Sequence, residues 1–514
     1  MEAVNLGFSG EAMQGCSTRP CWLPAKTFIS LMLVGLVTGC AVGPDFIRPE
    51  PPVASRYTVA PLPAQTASAK TPLGEAQQFR LSEDVDAQWW KKLGSPRLDV
   101  LIENAFESSP TLVAARATLR QAQELHSAQA GSTLYPQVDA GLGAQRQRMS
   151  PSALGQTGDA REFSLYNASV GVHYRLDLAG GNRRALEALA ARTDYRRYEL
   201  DGARLTLAAN ITTTAILRAR LAAQISATQA MIDAQEEQIS VTRARVRLGQ
   251  AAPDELLSLQ AQAEQTRAEL PLLRKQLDQS EHLLATLSGQ APGSADVPGF
   301  TLDEFKLPVD LPVVLPSELV RRRPDIQAAE ALLHAANADY GVAVAKLYPQ
   351  INLSANLGSQ ALTTGALFGG GSAVWSVLGQ LTQPLFNPGL PAEKRASLAA
   401  LDAAAAQYQG VVLDALRNVA DTLRALDHDA QSLASLAAAD TYAQSSLESV
   451  KRQYALGAAN YTQLLIAQQQ AQQSRIGLVA AQAQRLADSV ALYQSLGGGN
   501  VLTSAVLNGL PEID

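Results

Sequence analysis

Leu134-Tyr135-Pro136-Gln137 recurs as Leu347-Tyr348-Pro349-Gln350, about 210 residues later, and each copy leads into a stretch where apolar and polar residues alternate. From Tyr166 to Leu176 the even positions are Tyr166, Ala168, Val170, Val172, Tyr174 and Leu176. The odd ones are Asn167, Ser169, Gly171, His173, Arg175 and Asp177. After the second copy, Ile351, Leu353, Ala355 and Leu357 alternate with Asn352, Ser354, Asn356 and Gly358. A strict period of two predicts strands whose faces meet different media. A half-buried strand in a soluble sheet has the same period, so the pattern alone leaves both readings standing. The fourth strand, around Val374 to Leu385, alternates poorly. The loops at about 148–162 and 359–372 are rich in Gly, Ser and Thr and suit exposed tips.

Beyond the strands the repetition continues. Arg245, Leu248, Gly249, Leu256, Leu257 and Gln260 are answered by Arg452, Leu456, Gly457, Leu464, Leu465 and Gln468. The repeated order is short helix, strand, strand, very long helix, glycine turn, second helix. Such internal repetition fixes the architecture before any local detail. Between Asn182 and Leu248 there is no proline and one glycine, Gly202; between Ala392 and Leu456 there is again only one, Gly410. At about 1.5 Å per residue each run makes roughly 100 Å of helix, a length found in coiled coils and helical tubes. Gly249 and Gly457 suit left-handed C-caps. Returning helices are expected from Pro253 to about Leu287 and from Tyr461 to about Leu496, the first kinked or broken at Pro271. Ser109-Pro110 and Arg323-Pro324-Asp325 open the short helices, with proline where its missing N–H costs least.

Composition narrows the function. The chain has 514 residues, a formal net charge of -6 and 5% aromatics. A mildly acidic balance gives a nucleic-acid partner no electrostatic support. After the first 40 positions no apolar run is long enough for a membrane helix. Lys26 precedes the apolar run Phe28 to Val37, then Thr38-Gly39-Cys40. About ten apolar residues make an export-signal core, too short to span a bilayer. Small residues before a cysteine resemble a bacterial lipobox, with Cys40 as the lipidated first residue of the mature chain. The stretch ahead of Lys26 exceeds what such a signal needs, as an upstream-assigned translation start would give. Of three cysteines, Cys16, Cys21 and Cys40, cleavage leaves one, so no internal disulfide is expected. Residues 41–75, rich in Pro, Ala, Ser and Thr, read as an extended tether without a core of its own.

The expected divisions are 1–39 signal, 40–88 tether, 89–290 first repeat, 291–316 Pro/Gly-rich linker, 317–497 second repeat and 498–514 flexible tail. Four strands are too few for a membrane barrel, since unpaired edges find no water in lipid. If they cross a membrane, several chains share one barrel. Two chains give eight strands and almost no lumen; three give twelve and room for a channel.

No catalytic constellation is present. His126, His173, His282, His334 and His428 are scattered, without metal-site spacing. Asp427-His428-Asp429 reads as a solvated helix face, Arg321-Arg322-Arg323 as a solvated turn, and Gln468-Gln469-Gln470 as a polar face. Neither enzyme, metal nor cofactor is expected.

The ordered set Gly39-Cys40-Ala41-Val42-Gly43-Pro44-Asp45-Phe46, Arg48-Pro49, Trp89-Trp90, Ser95-Pro96-Arg97-Leu98, Leu176-Asp177-Leu178, Arg322-Arg323-Pro324-Asp325-Ile326 and both Leu-Tyr-Pro-Gln copies resembles the TolC-like outer membrane factors. Within them it resembles the NodT-type efflux lipoproteins. The resemblance implies a mixed, mainly α fold: long periplasmic helical hairpins forming a coiled-coil tube, plus four transmembrane β-strands per chain in a trimeric twelve-stranded barrel. It also implies a lipid-anchored homotrimer in the outer membrane of a Gram-negative bacterium. That homotrimer would dock onto a periplasmic adaptor and an inner-membrane pump of the RND type, as a passive exit duct for small toxic solutes or drugs. The tip turns Gly249 to Glu255 and Gly457 to Gln463 map onto the family's gate. Gly249, Asp254, Glu255, Gly457, Leu464, Leu465 and Ile466 are the candidate gate residues, and Cys40 the lipid attachment. Ile466 stands where many relatives carry aspartate, which leaves the constriction either acidic or apolar. Acids in a first helical turn also stabilise the helix dipole without any gating role. A periplasmic coiled-coil adaptor and a type I secretion duct are the alternatives, although an adaptor should carry a single hairpin.

Overall fold

The structure is a computed structural model that describes residues 41–499, apart from 53, 55, 82, 152–154, 156 and 295. The expected signal with Cys40, and the expected flexible tail from Asn500 onward, lie outside the described residues. A short strand, β1 (Gln78–Leu81), is followed by α1 (Pro96–Ser108), α2 (Pro110–Leu134), β2 (Gln137–Met149), β3 (Arg161–Leu176), α3 (Gly181–Arg247) and α4 (Pro253–Leu287). Then come β4 (Asp310–Val313), α5 (Pro316–Arg322), α6 (Pro324–Ala345), β5 (Gln350–Ala361), β6 (Ala373–Thr382), α7 (Gly389–Ala455) and α8 (Tyr461–Ser495). The repetition read from sequence is matched element for element: α3 and α7 have 67 residues each, α4 and α8 have 35 each. No helix among the described residues is long and apolar enough to cross a membrane.

The helix α3 is the centre of both halves. It packs against α2 and α6 at its start and against α4 and α8 farther along. Buried Ala208, Ala209, Thr212, Ala215 and Ala219 explain how it does so, since small side chains let neighbouring helices approach closely. The helix α4 is continuous through Pro271, so of the expected kink or break the break is absent. Leu259, Ala263, Thr266 and Leu270 before the proline and Leu284 after it are buried, while Pro271 itself is exposed. Packing on both sides of the proline holds the helix.

The four-stranded sheet is antiparallel in the order β2-β3-β5-β6. Its register aligns one apolar face across all strands, as in the rows Val138–Val172–Ala355–Val377 and Ala140–Val170–Leu357–Trp375. The opposite face carries rows such as Gln137–His173–Ser354–Leu378 and Asp139–Gly171–Asn356–Ser376. The poor alternation of β6 now has a cause: Val374 and Leu378 fall on the polar face, opposite Gly358 and Ser354. On the apolar face Leu142, Leu357, Trp375 and Val377 are all more than half exposed in the single chain.

The main core lies partway along the long helices, not in the sheet. Trp89, Leu93, Leu98, Ile102, Phe300 and Leu311 pack there against Ile211, Leu423, Leu486 and Tyr493. Trp89 stacks on Tyr493 with ring centroids 5.5 Å apart. Two expectations are corrected here. The residues read as a tether deliver Leu73 to this core and pair β1 with β4 in parallel. The residues read as a linker between the repeats deliver Phe300, Phe305, Leu307, Leu311, Val313 and Val314. Both segments hide their few apolar side chains among Pro and Gly, so composition conceals them. Arg323, read as part of a solvated turn, is also buried; it clamps Asp325 with two hydrogen bonds and donates to the Ser495 carbonyl at 2.6 Å.

The N-terminal segment is tied to α8 by a buried polar cluster. The fully buried Arg485 donates to Gln77 Oε1 at 2.7 Å and to the Glu75 carbonyl at 3.2 Å. Gln77 donates onward to the Pro308 carbonyl and to Ser489 Oγ. One turn on, Asp488 accepts from Gln484 at 2.8 Å and faces Asp429 of α7. Gln468, on the face read as polar, is buried as well. Burial pushes the Asp488 carboxyl up to about 7; the Gln484 bond and Arg485 oppose the rise and Asp429 adds to it. The folded protein thus holds a proton there below about pH 7, which the unfolded chain binds only below about pH 4. Folding takes up that proton between the two values. Stability therefore falls as pH rises through this window, and the cost is fully present above it. Asp488→Asn is expected to raise the thermal midpoint by a few degrees at about pH 8 and hardly at all at about pH 4. Equal shifts at both pH values would contradict the burial of an ionised carboxylate as the cause.

Candidate functional site

The ends of the two long hairpins are built by the same backbone device. Gly249 has φ +71° and Gly457 φ +74°. In the first turn Gln250 N–H donates to the Arg245 carbonyl and Gly249 N–H to the Val246 carbonyl, at 2.8 and 3.0 Å. In the second, Ala458 N–H donates to Gln453 and Gly457 N–H to Tyr454 at the same distances. This reverses the chain while satisfying the last helical carbonyls. The two return helices start differently. Pro253 opens α4 with Asp254 and Glu255 in its first turn and no side-chain cap. Asn460 opens α8 with a reciprocal capping box, Asn460 Oδ1 accepting from Gln463 N and Gln463 Oε1 from Asn460 N, both at 2.9 Å. The acidic dipole contribution thus belongs to the first turn alone.

Among the candidate residues, Leu464 is fully buried and packs with Leu447, Tyr454, Ala467 and Ala471 inside its own hairpin. Leu465 and Glu255 are half-buried, and Asp254 and Ile466 are exposed. Among the described residues no hydrogen bond or ion pair joins Asp254 to the second hairpin, whereas Glu255 is linked to it. Tyr454 Oη, on α7, donates to Glu255 Oε2 at 3.3 Å. The guanidinium of Arg245, on α3, sits 5.1 Å from the Tyr454 ring centroid. Burial lifts the Tyr454 phenol above its ordinary value, with Thr242 opposing and Glu255 assisting, so Tyr454 remains a neutral donor near neutral pH. Farther from the turns, Gln469 donates to Gln262 at 3.1 Å and Gln472 to Glu269 at 3.2 Å, again between α8 and α4.

Sequence reasoning missed Tyr454. Its signal was an asymmetry: three residues before the turn glycine the first copy has Val246 and the second an aromatic. Leu248 and Leu456, each directly before a turn glycine, are 71% and 84% exposed, so both tips end in bare apolar side chains.

At the other end of the long helices the chain from residue 41 is docked at the turn between β3 and α3. Val42 N–H donates to the Ala179 carbonyl at 3.0 Å. Arg184 reaches Asp45 at 2.7 Å and Glu187 at 2.8 Å. Phe46 stacks on His334 with centroids 4.3 Å apart, and Asn337 donates to the Pro44 carbonyl at 3.0 Å. Among the described residues no group of His, Cys, Asp and Glu is arranged to hold a metal.

The sequence matches the outer membrane efflux protein family over residues 101–290 and 315–498. It is 32% identical over 421 residues to the pyoverdine export outer membrane protein OpmQ of Pseudomonas aeruginosa, covering 80% of this chain and 87% of that protein. It is 29% identical over 485 residues to the probable efflux pump outer membrane protein TtgC of Pseudomonas putida, covering 92% of this chain and 96% of that one. Among solved structures, the outer-membrane channel OprN superposes with a TM-score of 0.81 at 28% identity, covering 90% of this chain and 99% of OprN. The chain belongs to the outer membrane efflux protein family, and the family reading made from sequence stands.

Nothing lies within 4 Å of a Cβ added at Gly249 or Gly457, so substitution there is opposed by backbone conformation alone. Gly457→Ala is expected to cost roughly 1 kcal/mol. Hydrogen exchange at the amides of residues 457 and 458 should then accelerate about fivefold. Unchanged exchange would mean that the left-handed turn is not the state that protects them.

Proposed function

We propose that this member of the outer membrane efflux protein family is the outer-membrane component of a tripartite efflux system, a passive duct through which small solutes leave the cell. The observation that carries this reading is the sheet. One apolar face runs across four strands, its large side chains are exposed, and it ends in two unpaired edges, β2 and β6. An apolar face with open edges is viable in lipid only when the sheet closes on itself. Three chains joined edge to edge give a twelve-stranded barrel, apolar outside and polar within. The helices support the same assembly. Helix α2 buries only Leu112, and Val113, Leu125, Leu398 and Leu413 remain exposed, as expected of surfaces covered by neighbouring chains.

In this reading residues 89–290 and 317–497 are the two repeats, and residues 40–88 and 291–316 complete the core around the helices. Cys40 carries the lipid anchor. Its support is the docking of Val42, Asp45 and Phe46 beside the β3–α3 turn, which puts the start of the described chain where barrel meets tube. The hairpin tips point away from the membrane toward a periplasmic adaptor and an inner-membrane pump of the RND type. Leu248 and Leu456 are the exposed apolar contacts offered there. The export and efflux roles in the names of OpmQ and TtgC favour small-solute exit.

The tip is the gate, with Gly249 and Gly457 as its turns and Asp254, Glu255, Leu465 and Ile466 at its surface. Leu464 serves it by packing. The Tyr454–Glu255 hydrogen bond latches one hairpin to the other. Tyr454→Phe keeps the ring and removes the latch, at about 1 kcal/mol. The closed-to-open ratio is expected to shift about fivefold toward open, read as open time in planar bilayers. Glu255→Ala should shift it in the same direction. Conductance and open time unchanged in both variants would remove the latch and leave Glu255 only its part in the helix dipole.

A further inference from the structure

The polar face of the sheet holds a cavity of 440 Å³ at its helix-side end, between the strands and the end of α2. Gln137, His173, Arg175, Asn182, Asn352 and Gln380 line it, and among the described residues no carboxylate does. Arg175, Asn352 and Gln380 form one row of the sheet, and Gln137 and His173 begin the next. Arg175 donates from Nε to Asn352 Oδ1 at 3.4 Å, no ion pair among the described residues includes it, and Asp177, two residues on, faces Arg183 at 3.8 Å. The other charges nearby are committed or distant. Arg146 and Arg148, at the loop end of β2 and on the opposite face of the sheet, both face Glu162, at 3.4 and 4.0 Å. Asp177 accepts from the backbone N–H groups of Asn182 and Arg183 at the start of α3. Asp139 stands two rows from Arg175 toward the loops, roughly 13 Å along the strands. Toward the loops, His173 Nε2 and Asn356 Oδ1 close over Gly171, each 3.2 Å from where a Cβ would lie.

We propose that this cavity is a transient binding site for oxyanionic solutes, carboxylates or phosphates, passing through the duct, with Arg175 as its anchoring charge. The inference rests on the polar face being the lumen, as proposed above. A fixed guanidinium with carboxamides around it matches an oxyanion's need for several convergent donors. The space, about fifteen water volumes, admits a small polyanion. Around a threefold axis three copies of Arg175 would stand at one level, where barrel and tube join, and an anion would meet them together.

The test is block of single-channel current by citrate, added to both chambers of a planar bilayer holding the detergent-purified full-length protein. Citrate is expected to block the wild type. Block should be about tenfold weaker in Arg175→Gln, and most of it should return in Arg175→Lys. Citrate failing to block a conducting wild-type channel overturns the site and leaves the duct intact, as does equal block in wild type and Arg175→Gln. A wild-type protein that gives no channel overturns the duct, and the site with it.

Discussion

Backbone N–H and C=O groups at the edges of a sheet must find partners, and in this chain that need governs everything around the strands. The sheet β2-β3-β5-β6 pairs its inner strands and leaves both outer edges open over 13 and 10 residues. In water such edges could be solvated, but here the helix-side part of one face of the sheet is apolar, from Val138 to Leu381. In the proposed reading lipid covers that surface and another copy of the chain covers the edges. The short helix α2 then follows the same logic, since it enters β2 through Tyr135 and buries only Leu112 within a single chain.

The long helices are held by a core built mainly from the repeats themselves and completed by segments outside them. Segments 40–88 and 291–316 wrap partway along α3, α7 and α8 and supply Leu73, Phe300, Phe305 and the β1–β4 pair. Arg485 and Gln77 fasten this wrap to α8 from within. Toward the tips the packing thins to a few residues around Leu464 and Tyr454, and polar links such as Gln469–Gln262 replace apolar ones. Low packing density is what a segment needs in order to open without disturbing the rest. Tyr454 and Glu255 sit at the tip end of that looser region, beside the turns, and they join the two hairpins.

Much of the fold was legible because its signals are periodic and duplicated. The two Leu-Tyr-Pro-Gln copies set the strand starts. The long proline-free runs set the helices, and Gly249 and Gly457 set the turns to the residue. What was hidden depends on contacts between distant segments. Pro271 looked like a break because helix propensity ignores Leu270 and Leu284 packing on α3. The wrap looked like tether and linker because a few buried side chains among prolines carry no period. Arg323 looked solvated because its partners, Asp325 and the Ser495 carbonyl, are visible only in three dimensions. At the tip, the acids and leucines could be found from the repeat, but it did not point to Tyr454, which the second copy carries and the first lacks.

The most direct test of the shared barrel is the native mass of the protein extracted from outer membranes in mild detergent, compared with the same sample after boiling. The account predicts a species of three chains that collapses to one chain only on heating. A species of one chain before heating, or release of the protein from the membrane by salt alone, would contradict closure of the sheet by neighbouring copies.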